Sequence, residues 1–400
     1  MQNKNNPHTF HIPVMGLAFT IDSPIKVAKY GISSVISIVD DILIEKMNEY
    51  YSKKFEIPFK AISTKVEDYR AKRITSYLNT VDTIVKQKFE KLKKSFEEKS
   101  NEFEKYMDML PDFSDLKQNF IKTIQKNTIK EEVQNWIHNN LVSGSIDVNI
   151  MTKLDKVNYN KDEALPSEFN DAHAALRGFA NSNLESSVVL SAGMNPRLYS
   201  YFENFEDFFP DENNKLKKKI ILKVSDYRSA IIQGKFLAKK GLWVSEYRIE
   251  SGLNCGGHAF ASDGYLMGPI LEEFKTNKEI LINDVNTILV NALQAKNKPV
   301  PSTPLNLNIT VQGGVGNSEE QEFLLDNYNI DSVGWGSPFL LVPEATTVDE
   351  KTRKTLAEAT EKDLYLSNVS PLGVPFNSLR GSSNEIIKNQ RIIRVQFINI

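Results

Sequence analysis

Short, nearly continuous apolar runs alternate with longer amphipathic stretches along most of the chain, and one long charged segment interrupts them. Apolar runs without polar alternation belong to strands covered on both faces. Their alternation with helix-period segments predicts βα units around a parallel sheet. The predicted strands are His11–Phe19, Ser33–Val39, Ile146–Met151, Ser187–Ala192, Lys219–Val224, Trp243–Ile249, Leu307–Val311 and Ser332–Leu341. A first helix is predicted from Ser23 as N-cap, with Pro24 at its first position, to a stop at Gly31. Further helices are predicted over Pro166–Asn181, Tyr227–Lys240, about Leu271–Ala295 and Gln321–Tyr328. Eight strands in this alternation are the count of an α/β (β/α)8 TIM barrel. A doubly wound open sheet is the alternative topology.

The alternation breaks between about Asp41 and Asn140. Ile74, Leu78, Val81, Val85, Phe89, Leu92, Phe96 and Phe103 recur at threes and fours with a few gaps, and seven Lys and five Glu lie between Lys86 and Lys105. This predicts a long amphipathic helix with a solvated charged face; contact with a partner or a second subunit is the other reading. Met109–Asp112 breaks the run, and Phe120–His138 predicts another helix. The chain therefore divides into a barrel over 1–40 and 141–380, a helical insertion over 41–140 after strand two, and a tail over 381–400. Within the tail, Ile392–Ile400 alternates like an edge strand. No element there closes the domain, as in a piece of a longer protein.

Charge and composition narrow the function classes. Lys+Arg is 49 against Asp+Glu 51 in 400 residues, without the basic surplus of a nucleic-acid-binding protein. A hydrophobic fraction of 40% can fill a sizeable core. No apolar run reaches the length of a membrane span, and the polar start Met1–Thr9 followed by short Ile12–Phe19 is not a signal peptide. A single cysteine, Cys255, excludes an intramolecular disulfide framework and fits a reducing, cytoplasmic compartment.

Three stretches at predicted strand ends, where a barrel carries its chemistry, stand out. After strand six comes Asn254-Cys255-Gly256-Gly257-His258. The glycine pair lets backbone approach a ligand, and His258 can serve as acid, base or ligand, or else pack the loop. Cys255 and His258 lack the further ligands of a zinc site. Of the other histidines, at 8, 11, 138 and 173, the last two fall in predicted helices as surface or packing residues. After strand seven, Gln312-Gly313-Gly314-Val315-Gly316-Asn317 opens a helix whose backbone N–H groups can face an anion, although a plain turn also explains it. Neither a dinucleotide fingerprint nor a Walker A sequence is present. After strand eight, Gly334-Trp335-Gly336-Ser337-Pro338-Phe339 offers a backbone N–H and a hydroxyl. Glycine-rich ends on strands seven and eight together point to a phosphorylated cofactor or substrate.

In these motifs the sequence resembles the FMN-dependent nitronate monooxygenases, once called 2-nitropropane dioxygenases. Pro13-Val14-Met15-Gly16 is similar to that family's opening Pro-x-Met motif, and Cys255-Gly256-Gly257-His258 to its Ala-Gly-Gly-His. Gly313-Gly314-Val315 matches its Gly-Gly-Ile, and Gly336-Ser337-Pro338-Phe339-Leu340 with Pro343-Glu344 its Gly-Thr-x-Phe-Leu and Pro-Glu. The likeness covers about residues 11–40 and 146–365. It departs at Asn254, where the family commonly has an acidic residue, and in the insertion, which is free to cover the mouth or bind a partner. The resemblance implies FMN with its phosphate on Gly313, Gly314, Gly336 and Ser337, and its ring by Met15, Gly16 and Gly257. Lys223 would be a polar partner of the flavin, with a surface lysine the alternative, and His258 the catalytic base. The implied activity oxidises nitronates or nitroalkanes to carbonyl compounds and nitrite, with molecular oxygen as co-substrate. An FMN-dependent enoyl-thioester reductase shares the glycine pattern, and a non-catalytic flavin-barrel scaffold acting through the insertion is the reading from another class. A homo-oligomer or a partner would then engage the insertion.

Overall fold

The fold is that of a computed structural model, which describes residues 7–15, 19–38, 40–96, 101–112, 114–126, 130–150, 155–190, 193–250, 267–367 and 376–398. Eight parallel strands close into a barrel: β1 (Phe10–Ile12), β2 (Ser33–Ile38), β3 (Ile146–Ile150), β4 (Ser187–Leu190), β5 (Lys219–Val224), β6 (Val244–Ile249), β7 (Asn308–Gln312) and β8 (Ser332–Gly334). Each strand pairs with its neighbours in sequence, and β8 closes onto β1 through Phe10–Val333 and His11–Gly334. The chain is an α/β TIM barrel, not an open sheet.

Alternation along each strand divides its residues between two environments. Ile36 and Ile38, Val148 and Ile150, Val188 and Leu190, and Ile309 and Val311 point outward into the main core beneath the helices. Their alternates face the barrel axis, where Val35, Val189 and Ile221 form only a small apolar cluster. Most of the other inward positions are polar, among them His11, Asn149, Arg248 and Thr310, all buried. The barrel thus has an apolar coat and a largely polar lumen.

Helices cover the barrel: α1 (Ser23–Val27), α2 (Asp41–Lys54), α3 (Tyr69–Ser95), α4 (Asn101–Met109), α5 (Asp115–Lys126), α6 (Lys130–Asn140), α7 (Asp171–Ala180), α8 (Pro196–Tyr201), α9 (Tyr227–Ala238), α10 (Met267–Ala295) and α11 (Ser318–Tyr328), of which α8 has no counterpart among the predicted helices. α1 starts at Ser23 after Asp22, one residue earlier than predicted, and its chain turns out through Gly31 at φ +77°. Two predicted strands prove shorter. β1 stops at Ile12 because Pro13 has no N–H to continue the ladder. β8 stops at Gly334, after which Gly336 turns the backbone and Pro338 helps open a 3-10 helix over Ser337–Leu341.

The segment 41–140 is helical, and the amphipathic stripe is split between two cores. The first part of α3 places Ile74, Tyr77, Leu78, Val81, Ile84 and Val85 in the main core, beside α7. Its last turns carry Phe89 and Leu92 into a second core with Phe103, Tyr106, Phe120, Val133 and Ile137 from α4, α5 and α6. The predicted helix Phe120–His138 is two helices, α5 and α6. A run of aromatic contacts links this bundle: Phe96–Phe103 at 5.2 Å, Phe103–Phe120 at 5.1 Å and Phe120–Trp136 at 5.3 Å between centroids.

The bundle is anchored at the N-terminal ends of the strands. Tyr106 Oη donates to the carbonyl of Val142, just before β3, at 2.9 Å. Tyr30, just before β2, donates to Glu102 at 2.9 Å, and Lys29 pairs with the same carboxylate. Burial opposes ionisation of Glu102, but hydrogen bonds from Lys29, Tyr30 and Lys105 outweigh it and hold the carboxyl down at about 2. These anchors put the bundle's core at the end of the barrel opposite the mouth.

The tail contradicts its predicted edge strand. After an antiparallel hairpin over Leu364–Ser367 and Phe376–Leu379 and the helix α12 (Glu350–Glu358) before it, residues Ser383–Ile398 form helix α13. Its start explains why. Ser382 Oγ accepts from the Glu385 N–H at 3.3 Å while Glu385 accepts from the Gly381 N–H at 2.5 Å, a reciprocal cap that nucleates a helix. Once nucleated, the helix runs through the locally alternating Ile392–Ile398. Among the described residues, no helix is long and apolar enough to cross a membrane.

Candidate functional site at the barrel mouth

The C-terminal ends of the strands bring most of the described candidate residues to one end of the barrel. Met15 follows β1, Gly313 and Gly314 follow β7, and Gly336 and Ser337 follow β8, so three adjacent strands supply them. A Cβ at Gly336 would lie 3.8 Å from Met15 Cγ, which places these two loops side by side with open space around the glycine. Gly313 and Gly314 have φ of +93° and +76°, a backbone that other residues adopt only with strain. Among the described residues, no acceptor lies on the backbone N–H of Gly313, Gly314, Gly336 or Ser337. Beside them an open cleft of about 490 Å³ is lined by Met267, Gly313, Gly314, Asn317, Phe323 and Leu324 together with the carboxylates Glu319 and Glu320.

The helix N-terminus after strand seven differs from its expected role. α11 caps itself: Asn317 Oδ1 accepts from the Glu320 N–H at 2.8 Å, and Glu320 accepts from the Gly316 N–H at 2.6 Å and the Asn317 N–H at 3.3 Å. A capping box of this kind consumes the donors that an anion would use. Any phosphate at this rim is left with the glycine N–H groups and the Ser337 hydroxyl.

Lys223 lies at the end of β5 and is 6% exposed, which removes the reading of a surface lysine. Its Nζ is 3.6 Å from Glu250 Oε2, longer than a normal hydrogen bond. Glu250, directly after β6, is fully buried and accepts from Gln312 Nε2 at 2.7 Å. On the far side of the lumen, Ser37 and Asn149 are paired in register between β2 and β3, and Ser37 Oγ and Asn149 Oδ1 are buried with no hydrogen-bond partner among the described residues. Each such atom is costly in a dry interior, and these two stand side by side where a polar ligand could meet them.

Deeper in the lumen several polar groups pair with one another, although His11 Nε2 has no hydrogen-bond partner among the described residues. Arg248 Nε and Thr310 Oγ1 both donate to Glu246 Oε1, at 2.8 and 2.5 Å. His11 Nδ1 lies 3.0 Å from Ser332 Oγ, and a Cβ on Gly334 would meet His11 Nε2 at 2.9 Å, so glycine there makes room for the imidazole. Burial, and secondarily the charge of Arg248, push His11 well below its ordinary value, while burial raises Asp147 against the opposing pull of Arg248. His173 is buried as a packing residue, its Nδ1 2.8 Å from Asp155 in the loop after β3.

Gly16, Gly257 and His258 lie outside the described residues. Reading the sequence alone missed Glu250, Gln312, Asn149 and Ser37. A signal existed for three of the strands: polar residues at every second position of Asp147–Asn149, Glu246–Glu250 and Thr310–Gln312, whereas Val35 interrupts it before Ser37. Comparison with protein-family models and with curated proteins yields no match to this chain.

Proposed function

We propose that the chain is an FMN-dependent oxidoreductase of nitronate monooxygenase type, oxidising nitronates or nitroalkanes with molecular oxygen. The observation that carries this reading is the mouth itself: open glycine N–H groups on one side and, on the other, the buried Ser37 Oγ and Asn149 Oδ1, with no partner among the described residues. A phosphate fits the first and a polar ring edge fits the second, so the residues present suit the cofactor. Gly313, Gly314, Gly336 and Ser337 would hold its phosphate, Met15, Gly16 and Gly257 would border its ring, and Lys223 would face it from the lumen. When bound, FMN supplies electron transfer between the substrate and oxygen.

The chain's own part is positioning and proton transfer. A neutral nitroalkane must lose its α-proton, which His258 accepts as general base. A preformed nitronate is already an anion and needs no base. The chain's single-cysteine composition supports a cytoplasmic setting. The visible spectrum of the purified protein, with identification of the released cofactor, tests the proposal. FMN in stoichiometric amount is expected; retention of FAD in its place, or of no flavin after reconstitution, overturns it.

A further inference from the structure

We infer that Glu250 is a positioning residue that sets the charge beneath the cofactor, an assignment resting on the flavin reading above. Lys223, Glu250 and Gln312 come from three consecutive strands and form a chain across the lumen at the level where the mouth begins. A fully buried carboxylate is expensive unless paired. The layer below already holds its own compensated set in Arg248, Glu246 and Thr310, so the barrel has no need of a second carboxylate for that purpose.

Two consequences follow from where Glu250 sits. Its carboxylate takes the Gln312 amide through Nε2, which fixes the amide's orientation and turns Oε1 the other way. It also offsets the Lys223 ammonium at 3.6 Å without saturating it with a short hydrogen bond. Lys223 is therefore held in place, its charge balanced, with donors left to meet a ligand above. In a low-dielectric lumen such a balance governs how strongly added negative charge is tolerated. A ring that gains negative charge on reduction would sense Lys223 alone if Glu250 were neutral.

The test is a cycle of four reconstituted proteins: parent, Glu250→Gln, Lys223→Met and the double variant. The readouts are affinity for oxidised FMN and the two-electron midpoint potential. Glu250→Gln keeps an acceptor for Gln312 but drops the charge. It is expected to favour reduced over oxidised FMN at least tenfold more than the parent, a positive shift of about 30 mV for a two-electron couple. Lys223→Met should shift the potential the other way, and the double variant should return close to the parent, since the two residues act through each other. Should Glu250→Gln fail to fold, Glu250→Asp, with its charge drawn back from Lys223, is expected to give a smaller shift of the same sign. A parent that binds FMN whose potential neither Glu250 variant moves overturns this assignment and leaves the flavin reading standing. A parent that takes up no FMN overturns both.

Discussion

The two ends of this barrel are built to opposite rules. At the N-terminal end, α3 to α6 close a bundle whose aromatic rings meet edge to face in sequence and whose anchors, Tyr30, Tyr106 and Glu102, find their partners. At the mouth, Ser37 and Asn149 bury polar atoms that find no partner among the described residues, and glycines take backbone conformations that other side chains avoid. The bundle gains stability from these contacts, while the orphaned atoms and strained glycines at the mouth cost it. Proteins tolerate such local violations chiefly at functional sites. The hundred-residue insertion packs its own core away from the mouth, and the short loops on β7, β8 and β1 frame the site at which the proposed chemistry would take place.

That contrast can be broken most sharply at His258. His258→Ala should retain a flavin spectrum yet lose about 10²–10⁴-fold in reduction by a neutral nitroalkane, the usual range for a general base. Preformed nitronate should suffer far less. Anaerobic rapid-mixing at equal bound FMN measures both, and equal rates for variant and parent with the neutral substrate remove His258 from the mechanism.

The opposite end should behave in the reverse sense. Ile137 is fully buried in the bundle core, so Ile137→Ala should cost about 2–5 kcal/mol of stability. Its FMN affinity, titrated below the unfolding transition, should match the parent's. A concurrent loss of flavin binding in the folded variant would mean that the two ends are coupled.

Gly336 offers a cleaner probe of the mouth. Its φ is negative and an added methyl meets only Met15 Cγ at 3.8 Å, so Gly336→Ala should fold with stability within about 0.5 kcal/mol of the parent. Taking the ligand's space, it should weaken FMN at least tenfold. Unchanged affinity by fluorescence titration would move the phosphate elsewhere.

The smallest effect lies between the two ends, in the lumen. His11 is held neutral, with its folded value depressed below the unfolded 6.5. Its contribution to stability is fully present above pH 6.5 and is lost as pH falls, because the unfolded chain takes up a proton that the folded one refuses. His8 is depressed by burial in the same sense. Denaturant unfolding between pH 7 and 5 should show a falling stability, and His11→Gln should flatten that slope by up to about 1.4 kcal/mol per pH unit. An identical slope in both proteins would show that His11 does not titrate differently on folding.

What the chain determines locally was readable before any coordinates. Hydrophobic runs such as Lys219–Val224 and Ser187–Leu190 located strands because burial of their outward faces is dictated residue by residue. Turn glycines such as Gly31, Gly313 and Gly314 announced themselves because few other residues adopt that backbone. Short-range signals also misled: the alternation in Ile392–Ile398 lost to a helix nucleated upstream at Ser382 and Glu385.

Three things waited for the tertiary structure. Closure of the sheet by the pairing of β8 with β1 decided between barrel and open sheet, a contact between residues more than three hundred positions apart. The direction of α3 decided that its second core lies away from the mouth, since an amphipathic stripe says which face is buried but not against what. The union of Lys223, Glu250 and Gln312 depended on three strands standing side by side. Local propensity acts over a few residues and is written in order along the chain, whereas a buried charge is stabilised by whatever the fold places next to it.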